Sequence, residues 1–186
     1  LEEERPQSGP LRSEIDRLQP AALLVPYFFI DQAATWYKTN LALLNEAIHL
    51  KPSLPIYAVV SLDRGILQDC NALTTIAGDY CGLKVDGFFI WVSDMTEQII
   101  GKQELDNLIQ FIKNLCADGR PTYNMYGGYL SALLKIFGLT GFCHGAGYGE
   151  HRDVIPVLGG GVPLSKYYVP PLHQSFVFAE AQSILA

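Results

Sequence analysis

Five short apolar runs end in polar residues, and this repeat constrains the fold more than any other feature of the chain. They are VPYFFID at 25–31, AVVSLDR at 58–64, FFIWVSD at 88–94, YNMYGGY at 123–129 and GFCHGAGYGEHR at 141–152. Most are followed by apolar residues at helical spacing. Strand-length runs alternating with amphipathic helices are the pattern of parallel βα units. The expectation is an α/β protein with a parallel sheet of five to six strands and flanking helices.

The first run contains Pro26, which lacks a backbone donor and suits a strand start, a bulge or a sheet edge. Asp31 then opens a helical stretch in which Tyr37, Leu41, Leu44 and Ile48 recur on one stripe. A second strand at 55–62 precedes a helix over about 69–82. The third strand, within 85–93, is the best candidate for the centre of the sheet, because it is apolar on both faces. Leu105, Leu108, Ile109, Ile112 and Leu115 mark a helix over about 102–117, with Gly119 positioned to end it. A fourth strand at 121–126, a short helix at 129–137 and a fifth strand at 140–144 complete the series. The stretch 146–165 is rich in glycine and reads as a long loop. Residues 166–173 read as extended, and FVFAEAQSILA as a closing helix. Residues 1–10 look like a flexible lead-in, and 11–186 like one (β/α) domain.

A closed eight-stranded barrel takes ~250 residues. With 186 residues and five or six strands, two arrangements remain. The chain is the C-terminal part of a longer (β/α)8, TIM-like barrel whose upstream portion is missing, or its sheet is open and doubly wound. The barrel is the preferred reading.

Hydrophobic residues make up 49% of the chain, enough for one good core. The net charge of −6 argues against a broad nucleic-acid surface, since that affinity comes from clustered Lys and Arg. Cys70, Cys81, Cys116 and Cys143 have no CxxC spacing and read as buried thiols of a reducing compartment. No apolar run reaches the ~18 residues needed to span a bilayer. These features point to a cytoplasmic protein with no membrane contact.

In parallel α/β folds, ligand sites gather at the carboxyl ends of the strands. Asp63 and Asp94 are the candidate catalytic carboxylates, each placed just after a strand; Asp31 is a third acid in an equivalent position. Each also stands where a helix cap is wanted, and Asp94 with Glu97 has capping-box spacing. Three carboxylates in one region could instead raise one pKa or recruit a divalent cation, although no metal motif is present. His144 and Glu150 are the candidate proton-transfer pair, within a loop whose Gly145 permits close backbone approach. Arg64 and Arg152 are candidate anion contacts. Gly127 and Gly128, after Tyr126, allow either ligand approach or tight packing. Trp91, Tyr126, Tyr148 and Tyr168 offer aromatic walls or core. No GxSxG, HExxH or P-loop occurs.

Residues 55–152 resemble, in layout, the later half of tRNA-guanine transglycosylase barrels. The resemblance rests on PIYAVVS, DGFFIWV and RPTYNMYG and on a final strand at the site. In that family the final strand end carries a carboxylate nucleophile; here His144 occupies that place. WVSDMTE stands where a GGLAVGE-type loop would fall, and a cysteine-rich zinc site is lacking. The resemblance implies a barrel. The residues themselves suggest an enzyme working by acid/base catalysis on a small polar ligand: a sugar, nucleoside or phosphate ester. The alternative is a barrel-derived binding or scaffold subunit. Either form would have sheet edges to cover, so a homo-oligomer or a missing upstream segment is expected.

Overall fold

The structure is a computed structural model describing residues 17–50, 53–143, 154, 166–169 and 174–185. The chain divides into two compact units, Leu1–His151 and Arg152–Ala186. The first contains β1 (Leu23–Leu24), α1 (Tyr37–His49), β2 (Ile56–Asp63), α2 (Cys70–Cys81), β3 (Gly87–Ser93), α3 (Lys102–Cys116), β4 (Thr122–Met125), α4 (Leu130–Leu134) and β5 (Gly141–Cys143). Short 3-10 turns follow β2 (Arg64–Gln68) and α4 (Lys135–Phe137).

The five strands are parallel and lie in the order β1-β2-β3-β4-β5. Right-handed crossovers that always step in the same direction place their helices on the same face. The packing agrees. Ala58, Val60 and Leu62 of β2 stand in register with Phe88, Ile90 and Val92 of β3. These residues share one core with Leu44 of α1, Leu73 and Ile76 of α2, Leu108, Phe111 and Leu115 of α3, and Leu130 and Leu134 of α4. The sheet is thus singly wound. A doubly wound sheet reverses its strand order and carries helices on both faces; among the described residues of the first unit the order does not reverse.

Residues of the opposite parity form a second surface. Tyr57, Phe89 and Tyr123 make an aromatic row across β2, β3 and β4, with centroids 5.6 Å apart for Tyr57–Phe89 and 5.1 Å for Phe89–Tyr123. Val59, Ser61 and Asp63 of β2 and Trp91 and Ser93 of β3 continue this face toward the carboxyl ends.

Pro26 lies just beyond the edge strand β1, in an unpaired stretch before the Ile30–Leu62 bridge. Leu24 pairs with Tyr57 and Ile30 bridges Leu62, so the first strand spends six residue steps where β2 spends five. The extra residue is taken up within the unpaired stretch 25–29. The buried Asn40 of α1 repairs it: its Oδ1 accepts the Phe28 N–H and its Nδ2 donates to the Phe28 carbonyl, both at 2.8 Å. Asn40→Ala strands both backbone groups and should cost about 2 kcal/mol, lowering Tm by about 4–8 °C. An unchanged melting curve would show that the backbone finds other partners.

At the amino edge, Arg120 closes the end of α2. Its Nη2 donates to the Cys81 carbonyl at 2.9 Å, its Nη1 donates to Leu83 at 2.9 Å, and its guanidinium lies 4.7 Å from the Phe88 ring centroid. Asp118, 2.6 Å away, completes the pair, and the Arg120 contact holds its carboxyl below the usual range.

Several expected boundaries shift. The helix after Asp31 begins only at Tyr37, because Asp31 closes a turn of its own. The closing segment splits into a strand and a helix: β6 (Lys166–Val169) pairs antiparallel with β7 (Gln174–Val177), and α5 (Phe178–Leu185) follows and packs on both strands. Phe176 and Val177, assigned to the helix by composition, are strand residues. All four cysteines are free as expected, but none is fully buried; Cys70 and Cys143 are exposed. Among the described residues no helix is long and apolar enough to cross a membrane.

Candidate functional site

The carboxyl edge of the sheet brings together the ends of β1, β2, β3 and β4. Each exit turns by its own device. After β1, the Asp31 carboxylate accepts the Thr35 N–H at 3.1 Å and the Thr35 hydroxyl at 3.4 Å. After β2, Asp63 Oδ1 accepts the Gly65 N–H at 2.7 Å and caps the 3-10 turn. The neighbouring Gln32 amide reaches the same Oδ1 at 3.3 Å and ties the first exit to the second.

The exits of β3 and β4 turn through backbone conformation. Asp94 has φ of 52° and Tyr126 φ of 57°. Both lie in the left-handed region, which non-glycine residues rarely occupy; an aspartate tolerates it better than a tyrosine. The two sharp turns sit on adjacent strands, and the Tyr126 ring lies 5.2 Å from that of Trp91. Gly127 follows, and a β-carbon there would fall 2.0 Å from the Asn124 amide nitrogen and 2.4 Å from the Ser131 hydroxyl. Those two buried side chains bond each other at 2.8 Å. Gly127 is therefore required by packing, whatever else it does. Gly128 is also left-handed, at φ 53°.

Two expected roles need correction. Asp94 and Glu97 do not form a capping box, because the helix starts eight residues later, at Lys102. The acid that reaches back to a helix start is Glu104, whose Oε2 accepts the Gly101 N–H at 2.8 Å. Glu97 serves a different helix: its Oε1 accepts the N–H of Leu130 at 3.1 Å. Arg64 is not a spare anion contact. Its Nη2 lies 3.0 Å from Glu104 Oε2 and 2.7 Å from the Ile99 carbonyl, so its charge is matched inside the fold. The Gly101 N–H, with Arg64 and Gln68, holds the Glu104 carboxyl below the ordinary carboxylate range.

The structure brings Asp31, Asp63, Trp91, Asp94, Tyr126, Gly127 and Gly128 to one edge. It does not gather the three aspartates into a cation site: among the described residues, no group of three His, Cys, Asp or Glu could hold a metal ion. His144, Gly145, Tyr148, Glu150 and Arg152 lie outside the described residues, as does the Tyr168 side chain, whose backbone belongs to β6 of the second unit. Sequence reasoning missed Gln32, Ser61 and Ser93, and gave Glu97 to the wrong helix. Alternation along β2 and β3 signalled the two serines, since they share the face of Asp63. No local pattern signals Glu97, whose partner is 33 residues away.

No family model, curated protein or solved structure matches the chain.

Proposed function

We propose that the carboxyl edge of the sheet binds a small polar ligand and acts on it by acid/base catalysis, within a (β/α)-barrel framework. The observation that carries this reading is the pair of left-handed residues, Asp94 and Tyr126, on adjacent strand exits. Such backbone costs about 1–3 kcal/mol at each residue and concentrates where a side chain must be aimed at a ligand. Unidirectional winding, with α1 to α4 of the first unit packed on one face, supports the barrel, because closure of such a sheet would place Trp91 and Asp63 inside it. Asp94 is the leading catalytic carboxylate and Asp63 the second. Asp63 retains an oxygen beyond its cap, since both of its bonds fall on Oδ1. The Trp91–Tyr126 pair forms the wall of the site. His144 and Glu150 are assigned proton transfer on their place in the sequence, beyond the fifth strand.

The test is a turnover screen over neutral sugars, nucleosides and phosphate esters, comparing the protein with Asp94→Asn. The substitution removes the proton-accepting charge and keeps the shape. Turnover should fall at least about 100-fold, with the melting temperature held within a few degrees. Full turnover by Asp94→Asn would remove Asp94 from the mechanism.

A scaffold role is the second reading. It is favoured by Asp31 and Asp63 both capping turns, and by Leu133, Ile136 and Phe142 exposing apolar surface around the last strand of the sheet. Sedimentation would separate the two: a scaffold subunit assembles with itself or a partner and retains no small ligand.

A further inference from the structure

Ser61 is 1% exposed, and its hydroxyl has no hydrogen-bond partner. A buried hydroxyl without a partner has given up its bonds to water and regained none, so an orphan of this kind calls for an explanation. Its position supplies one. Ser61 pairs in register with Trp91, and the next pair on the same face toward the carboxyl edge is Asp63 with Ser93. Strand spacing puts Ser61 and Trp91 about 5 Å apart across the ladder, and Ser61 and Asp63 about 7 Å apart along β2. The Trp91 ring in turn meets Tyr126 at 5.2 Å. One small area of this face therefore combines an unmatched hydroxyl, a carboxylate, a second serine and a pair of aromatic rings.

We infer that Ser61 is a ligand contact and that the ligand is a neutral, hydroxyl-rich ring of monosaccharide type. This deepens the reading of the carboxyl edge as a ligand site and rests on it. A sugar has C–H groups for an aromatic face and hydroxyls that donate to a carboxylate and exchange bonds with serines. A phosphate ester fits poorly. Asp63 would repel it, and Arg64, the nearest cation in sequence, is held by Glu104 and the Ile99 carbonyl. Ser61 stands in register with Trp91, so a ligand bonded to its hydroxyl lies beside that ring. Binding must then disturb the surroundings of Trp91.

The chain has two tryptophans. Trp36 is exposed and stacks on Phe28 at 4.8 Å, so Trp36→Phe leaves Trp91 as the sole reporter. In that background, glucose, galactose, mannose, N-acetylglucosamine and ribose are titrated against Trp91 emission, with ribose 5-phosphate as the charged comparison. At least one neutral sugar should saturate the signal, and Ser61→Ala should weaken it about tenfold, the worth of one hydrogen bond to a buried group. Ser61→Ala should melt no lower than its parent without sugar, because no bond is lost.

Binding unaffected by Ser61→Ala, or a melting temperature lowered by it, overturns the role of Ser61. No response to any neutral sugar overturns the ligand class. If ribose 5-phosphate alone binds and Asp94→Asn abolishes that binding, the carboxyl-edge site survives while this inference fails. If no probe binds and Asp94→Asn leaves turnover unchanged, both fail.

Discussion

Replacing Glu104 with alanine should destabilise the protein by about 2–4 kcal/mol, a Tm loss of about 4–16 °C. Glu104 is 6% exposed and answers three groups: the Gly101 N–H at 2.8 Å, Arg64 at 3.0 Å and the Gln68 amide at 3.4 Å. Removing it strands a helix N–H and leaves the Arg64 charge short of its partner. A quarter of the Arg64 side chain still meets solvent, which keeps the cost below that of a fully buried broken pair. The damage reaches the candidate site, because Arg64 begins the turn that Asp63 caps.

Glu104→Gln isolates the charge. The Glu104 carboxyl titrates below its ordinary value of 4.5 in the folded protein. Above that value both folded and unfolded states are ionised, and the stabilisation is complete. As pH falls below about 4.5, the unfolded chain takes up its proton first, and the contribution is lost until the folded carboxyl is protonated too. The stability difference between the parent protein and Glu104→Gln should thus be constant at neutral pH and shrink in acid. Urea titrations at pH 7, 5 and 3.5 measure it, and a gap independent of pH would mean that the charge contributes nothing.

Arg120→Ala should cost about 3 kcal/mol, and Arg120→Lys should recover less than half of it. The guanidinium bonds the Cys81 and Leu83 carbonyls at once, faces the Phe88 ring and pairs with Asp118. An ammonium has one charged nitrogen and cannot reproduce that planar fork. Arg120 works at the amino edge of β3, away from the strand exits, so the loss should appear in unfolding and leave ligand affinity unchanged under folding conditions. Denaturation of both variants in parallel decides this. If Arg120→Lys matches the parent, the clamp is charge alone.

The helices and central strands were legible because one local rule produces each of them. The stripe Leu105–Leu108–Ile112–Leu115 can bury only as a helix, and the structure places it over Lys102–Cys116. That Pro26 stands at the sheet edge, outside the ladder, was legible from the missing donor. The repair of that unpaired stretch by Asn40 was not, because the bond spans 12 residues and nothing in NLALL marks the asparagine as a strand partner. The same limit explains the aspartates. Position after a strand identifies a residue at the edge but not whether it caps a turn, as Asp31 and Asp63 do, or turns the chain itself, as Asp94 does. Glu97 and Glu104 were both acids near a helix start. Only tertiary packing decides that Glu104 serves its own helix while Glu97 serves α4.

Native mass spectrometry of the purified protein beside Asp94→Asn tests the ligand site at the carboxyl edge most directly. The parent protein should carry a discrete small-molecule mass, of a neutral sugar if Ser61 is a contact, and Asp94→Asn should have lost it while remaining folded. The same retained mass on both proteins, or a bare protein that gains no mass from any sugar, nucleoside or phosphate ester supplied in excess, would contradict it.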